Sequence, residues 1–358
     1  MNRSSVGRDV YRVKRNVRCD ISNNTYDEMT IKSSSNTQRP AVNSKLKVAV
    51  LAGGVGSERE VSIQSGECIA RGLKEAGLRV EIGDIGPDNP GALDDESIDV
   101  FFIALHGKFG EDGQLQQLLE ERALPYTGSG PAASKLAFDK IASKRAFRGV
   151  DVHTPAWVDF NCDSDVQQLE KELQQSGKSY VVKPIKEGSS VGVRIIRDSQ
   201  EVMAVAQKTL AEFGDCMIEE FVAGREITVG ILCGEALPII EIRPKEAFYN
   251  YRAKYVDERT EFLFDTIKDA GLAAKIKADA LACFGALGCE DFGRVDFVLG
   301  DDQVAYALEV NTIPGFTSHS LLPMAAAKAG LSMSDLCVRI VEAALRAPKR
   351  KVMRLGNP

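Results

Sequence analysis

From Lys47 onward the chain alternates short apolar runs with amphipathic ones. KVAVL is followed by a glycine loop, by a run from Ser62 to Ala76 with helical spacing that Gly77 stops, and then by LRVEIGDI and VFFIAL. Continuous apolar strands separated by helices predict a parallel sheet covered on both faces, ending near PYTGSG at 125–130. A helical stretch from Ala133 to Arg148 leads into a second series: VDVHTPAWVDF, the helix SDVQQLEKELQQSG, YVVKPI, the turn KEGSSVG, VRIIRD, another helix and CMIEEFV. A third holds ITVGILCG, LPIIEIRP, an irregular stretch from Lys245 to about Asp269, a helix through Leu287, and the strands GRVDFVLG and VAYALEV. No internal repeat is visible. Residues 1–44 lack this periodicity, are rich in Ser, Asn and Arg, and are excluded from the fold as a disordered extension, a start placed upstream of Met29, or a transit peptide.

These patterns predict a mixed α/β and α+β chain. An N-terminal α/β domain spans 45–130, a central subdomain 131–222 and a C-terminal subdomain 223–348, whose irregular stretch covers about 245–269; a basic tail follows at 349–358. A length of 358 residues suits two or three units sharing clefts, where ligands usually sit. The formal net charge of −6 gives no basic footprint for nucleic acid. Eight cysteines form no Cys-x-x-Cys pair and meet only three histidines, which argues for free thiols in a reducing cytoplasm. No apolar run is long enough to span a bilayer, so no membrane association is expected.

The chemistry concentrates near the C-terminal end. In GRVDF, Arg294 and Asp296 share a strand face; in LEVN, Glu309 and Asn311 do. Three oxygen-bearing side chains beside an arginine suit Mg²⁺ bound together with substrate phosphates. Two amphipathic strands turning polar faces to water would give the same pattern, but Asn311 runs directly into TIPGFTSHS, an irregular loop that solvation does not require. Lys183 ends an apolar strand before the turn GSSVG, whose backbone could cradle a phosphate or simply close a hairpin. Glu219 and Glu220 sit in an apolar strand and Glu226 opens the next, as acceptors for an adenine amine or ribose hydroxyls, or as edge-strand charges. Glu60 completes a Ser-x-x-Glu step with Ser57, which alone reads as a capping box. His106 ends a buried strand, at the carboxyl edge where open α/β sheets bind ligands.

Taken in order, LAGGVGSEREVS, IALHGKFGEDGQLQ, LPYTGSG, FDK, VVKPIKEGSSVG, IEEFVAGREITV, AKY, GRVDF and LEVNTIPGFTSHSL resemble the D-alanine–D-alanine ligases, over about residues 45–347. The resemblance implies an ATP-grasp fold preceded by an N-terminal parallel α/β domain. It implies ligation of two D-alanines in the cytoplasm for peptidoglycan precursors: the first carboxylate attacks the γ-phosphate of ATP, and the second amine displaces phosphate from the acyl phosphate. It places two Mg²⁺ (or Mn²⁺) on Asp296, Glu309 and Asn311. Lys140, Lys183, Ser190 and Lys254 fall to the phosphates, and Glu219, Phe221, Val222 and Glu226 to adenosine. Arg294 and the Gly315 N–H match an oxyanion hole, and Ser320 and Leu321 a clamp on the second carboxylate. Glu60 is expected to anchor the first ammonium in a hydrogen-bonded set with Ser189 and Tyr255 that ties a mobile loop over the site, while His106 tunes the amine. A homodimer is expected from the same resemblance.

Lys254-Tyr255 favours an amine over D-lactate as second nucleophile. D-serine is excluded less well, because a pocket rejects one added hydroxyl weakly. A non-catalytic nucleotide-binding paralogue would lack a metal ligand or oxyanion donor, and none is missing. A hydride-transfer enzyme lacks the G-x-G-x-x-G fingerprint. The chain departs from the family in the segment VDERTEFLFDTIKDAGL, which lacks a common proline step, and in its 44-residue extension.

Overall fold

A computed structural model describes residues 45–56, 58–244 and 260–346. Ser57, Lys254, Tyr255, the 44 N-terminal residues and the basic tail, all of which carry expectations above, lie outside the described residues.

Three sheets organise the described chain. The first is parallel, in the order β2-β1-β3, from β1 (Lys47–Gly53), β2 (Arg79–Ile85) and β3 (Val100–Ile103), with Val48 opposite both Val80 and Val100. Helix α1 (Arg59–Glu75) makes the crossover from β1 to β2. The near-continuous apolar runs of β1 and β3 are buried as the pattern predicts, because helices and loops cover both faces. After α2 (Gln114–Glu121), the predicted helical stretch appears as two helices, α3 (Pro131–Phe138) and α4 (Lys140–Gly149). The break is Asp139: its extended backbone (φ −92°, ψ 104°) leaves the helix, and its carboxylate accepts the Ala142 N–H at 3.0 Å. An Asp favours this N-cap role over a helix interior.

The second sheet is antiparallel, in the order β4-β7-β5-β6, from β4 (Trp157–Phe160), β5 (Tyr180–Pro184), β6 (Arg194–Ile196) and β7 (Cys216–Glu220). Helices α5 (Val166–Ser176) and α6 (Val202–Phe213) pack on one face with Tyr180, Val182 and Ile218. The period of two then puts Lys183 and Glu219 together on the other face.

The third sheet runs β11-β10-β8-β12-β13, from β8 (Gly224–Leu232), β10 (Ile240–Arg243), β11 (Glu261–Phe264), β12 (Phe292–Gly300) and β13 (Ala305–Asn311), with the short β9 (Glu235–Ala236) beside β8. One face carries Ile227, Val229, Val295, Phe297, Ala305, Ala307 and Val310 against helix α7 (Ala270–Ala286). On the other, Arg294 stands opposite Asn311 and Asp296 opposite Glu309. Between these pairs and Phe297–Ala307 the register slips by one, leaving Leu308 as a bulge. The bulge matters because strict alternation from Ala305 and Ala307 would turn Glu309 into the core. A strap from the second sheet's entry covers the outer edge here: Ala307 N donates to His153 O at 2.8 Å, and the Thr154 hydroxyl donates to Ala307 O at 2.7 Å.

The largest core joins distant parts of the chain. Val48, Ile69, Leu73 and Phe102 of the first sheet and α1 pack with Leu322 of α8 (Leu321–Lys328) and Leu336 and Ile340 of α9 (Met333–Arg346). Phe102, Phe292 and Phe316 meet at its centre with ring centroids 5.6–6.1 Å apart. Among the described residues, no single helix is long and apolar enough to cross a membrane.

Candidate active site

A cleft opens above β12 and β13, lined by Glu58, His106, Glu111, Lys140, the turn at 187–189, Arg294, Glu309, Asn311, Gly315 and the segment from Thr317 to Leu321. Arg294 grips Asp296 with two hydrogen bonds of 2.9 Å, and Thr228 donates to the same carboxylate at 2.6 Å. Two carboxylates facing each other across strands repel. Here Arg294 balances Asp296, and the Lys140 ammonium stands 3.3 Å from Glu309 while donating to Glu187 O at 2.6 Å. Asn311 accepts the Ile313 N–H at 3.1 Å, which turns the chain into the loop of Gly315. Among the described residues, no three His, Cys, Asp or Glu side chains converge on a metal-holding point. The oxygen donors gathered here are two carboxylates and one amide.

The Gly315 loop is held at both ends. His106 Nδ1 lies 3.0 Å from Ile313 O, and the Ser65 hydroxyl accepts the Phe316 N–H at 3.1 Å while lying 3.3 Å from His106 Nε2. Gly315 has no room for a side chain, since a Cβ would lie 2.7 Å from Ser320 Oγ. Ser320 in turn accepts the Thr317 N–H at 3.0 Å and stands at the N-terminus of α8, with Leu321 as its first residue. Free N–H groups at such a terminus attract a carboxylate.

The opposite wall comes from the first sheet and the GSSVG turn. Ser189 and Ser190 both have positive φ, 49° and 60°, a conformation that side chains resist. Here the Val191 N–H donates to Gly188 O at 3.0 Å and the Val193 N–H to Ser190 O at 3.3 Å. The turn closes a hairpin, because β5 and β6 pair antiparallel, and left-handed residues are what such turns use. The Ser189 hydroxyl donates to the carboxylate of Glu58, not of Glu60. Glu60 is exposed and lies only 3.5 Å from Gln64, its neighbour one turn on. The physical reason is helix phase: α1 starts at Arg59, so Glu58 sits in the preceding turn facing the cleft while Glu60 rotates to solvent in the first turn. Beside Glu58, Glu111 is half-buried near His106, at 3.8 Å, and its removal from water raises its pKa, with His106 opposing and the Glu58 charge adding.

Lys183 and Glu219 do not line this cleft. They form a buried pair of 2.8 Å, and Lys144 approaches the second Glu219 oxygen at 2.6 Å. Burial alone would raise the Glu219 pKa, but the two lysines outweigh it and hold the carboxyl below its ordinary range. Phe221 and Val222 lie half-buried between β7 and β8, and Glu226 lies on β8 opposite Val298. The sequence reading therefore missed Glu58, Glu111, Ser65, Thr228 and Lys144. Glu58, Glu111 and Thr228 stood within the motifs of the resemblance; for Ser65 and Lys144 no spacing signals the contact.

Residues 141–342 match the family described as D-ala D-ala ligase C-terminus, and 88–129 that described as D-ala D-ala ligase N-terminus. The chain is 42% identical over 301 residues to a D-alanine–D-alanine ligase of Citrifermentans bemidjiense, covering 84% of this chain and 96% of that one. It resembles the crystal structure of the Bacillus anthracis D-alanine–D-alanine ligase complexed with ATP, with a TM-score of 0.73 and 34% identity over 84% of this chain and 98% of the other. A VanG D-Ala:D-Ser ligase from Enterococcus faecalis gives the same TM-score of 0.73 at 25% identity, covering 84% and 99%.

Proposed function

The chain belongs to the D-alanine–D-alanine ligase family, with its ATP-grasp fold, and from that premise we propose how the residues described above divide the reaction. The activity is the ATP-dependent joining of two D-alanines. Glu58, with Glu111 behind it, receives the first substrate's ammonium, which meets two carboxylates there. The first carboxylate then lies toward Arg294, where attack on the γ-phosphate yields an acyl phosphate and ADP. Lys140, Lys183 and the N–H groups around Ser190 hold the phosphates, offsetting charge that spreads over the transferring group. Glu219, Phe221, Val222 and Glu226 receive adenosine. The second amine attacks the acyl carbon, the tetrahedral oxyanion rests on Arg294 and the Gly315 N–H, and inorganic phosphate leaves. The second carboxylate takes the N-terminus of α8 at Ser320 and Leu321.

Asp296, Glu309 and Asn311 bring oxygen donors together on adjacent strands, two of them opposed carboxylates, and this set fits Mg²⁺ or Mn²⁺. When bound, such ions neutralise the phosphate oxygens. Lys254 and Tyr255 keep the roles implied by the resemblance: γ-phosphate contact and closure with Ser189. A cytoplasmic homodimer completes the proposal.

The observation that carries this reading is the position of Arg294, which grips Asp296 on the phosphate side and lines the cleft beside Gly315 on the acyl side. Phosphate release from ATP by the purified chain, compared across D-alanine, L-alanine, D-alanine with D-serine, and D-alanine with D-lactate, tests it. D-Alanine-dependent release with D-alanyl-D-alanine as product is expected. Release that ignores D-alanine would overturn it, and a mixed product formed in preference would move the second site to D-serine or D-lactate.

A further inference from the structure

Lys144 lies on α4 with no exposed surface and does not line the cleft. A buried ammonium is disfavoured unless partners surround it. Its partners are complete: Glu219 at 2.6 Å, the Pro155 carbonyl at 3.1 Å, the Thr154 hydroxyl, and the ring of Trp157 centred 5.2 Å away. Burial still pulls Lys144 down to about 8, opposed by Glu219.

Glu219 thus has two ammonium partners where one would neutralise it, and the buried cluster holds one positive charge in excess. The two lysines are not equivalent. Lys144 is fixed by Thr154 and Pro155, whereas Lys183 stands at the end of β5, just before the GSSVG turn, in an ion pair with Glu219. Lys183 is the one able to turn toward an anion without abandoning an unpaired carboxylate, because Lys144 stays.

We propose that Lys144 is a positioning residue for the nucleotide: it keeps Glu219 charged and in place, so that Lys183 can exchange the carboxylate for phosphate. This rests on the reading that Glu219 and Lys183 serve the nucleotide. Without Lys144, Lys183 is held by Glu219 and phosphate binding competes with that pair. Lys144 thereby acts on ATP and not on D-alanine.

Steady-state kinetics on the full chain, with ATP and D-alanine varied in turn, test this in Lys144→Met, Glu219→Gln and the double variant. Lys144→Met is expected to raise the KM for ATP about tenfold or more, with the KM for D-alanine changed less than about twofold. On the Glu219→Gln background, where no carboxylate competes, the same substitution should add less than about twofold to the KM for ATP. If Lys144→Met is too unstable to assay, the double variant compared with Glu219→Gln alone decides. Independent, fully additive effects, or equal shifts in both KM values, would overturn the positioning role alone. If Glu219→Gln leaves the KM for ATP unchanged, the nucleotide reading itself fails and takes the proposal with it.

Discussion

At Glu58 the carboxylate accepts the Ser189 hydroxyl, and Gly107 and Gly188 press against it so closely that a Cβ at 107 would lie 2.5 Å from Glu58 Oε2. A charge enclosed this way binds an ammonium better than an exposed one, because water competes less. Glu58→Gln is accordingly expected to raise the KM for the first D-alanine about tenfold or more, and Glu60→Gln to leave it within about twofold, read from D-alanine saturation curves. Equal effects of the two substitutions would count against the assignment. The two glutamates also show where residue-level reading stops. Both fit an acidic residue entering a helix, and only the helix start at Arg59 decides which one faces the cleft. Arg294 and Asp296, like Glu309 and Asn311, share a face by the period of a strand, while the face that Glu309 takes relative to Ala307 is set by the bulge at Leu308. Lys144 could not be found from sequence, since nothing in SKRAF marks its alignment with Glu219 in a strand 75 residues on.

Among the elements, the division of α3 from α4 sets where Lys140 enters. As the first residue of α4, it sends its N–H to Ile185 O at 3.2 Å and its ammonium to Glu187 O, so the helix start and the GSSVG turn move as one piece. Asp139→Ala removes the cap. The expected loss is about 1 kcal/mol in urea denaturation, with a higher KM for ATP because Lys140 loses its fixed origin. Unchanged stability together with an unchanged KM would mean the break is fixed by other contacts. The strands and most helices were legible as hydrophobic periods, but this break was not: helical spacing runs through it on both sides, and the capping Asp in FDK was outweighed by that spacing. The GSSVG turn was legible only as two alternatives, since glycine content marks a turn without telling a cradle from a hairpin. Its two left-handed serines do not supply the distinction, because hairpin turns use that conformation as well.

Across the whole molecule, chain order and packing order diverge. The first sheet shares its core with α8 and α9 from the far end, and Phe102, Phe292 and Phe316 bind them beneath the Gly315 loop. The sequence pattern divides the chain into consecutive blocks because periodicity is local, and such long-range partnership has no local signal. The floor of the cleft is therefore built from both ends of the chain. One small irregularity in that floor governs how the gene can vary. The ladder on either side of Leu308 is in phase, with Phe297 and Ala307 turned to the core and Asp296 and Glu309 to the cleft, so Leu308 is a residue that β13 carries in excess of its partner strand. Replacing Leu308 keeps that phase, and deleting it joins Ala307 to Glu309 in unbroken alternation with Glu309 still turned to the cleft, whereas deleting Val310 would put Glu309 and Asn311 on opposite faces. A scan of β13 by substitution and by deletion, scored by ligase activity, should find position 308 tolerant of both and position 310 intolerant of deletion. A one-residue gap is then accepted at the excess residue and refused between the two oxygen donors.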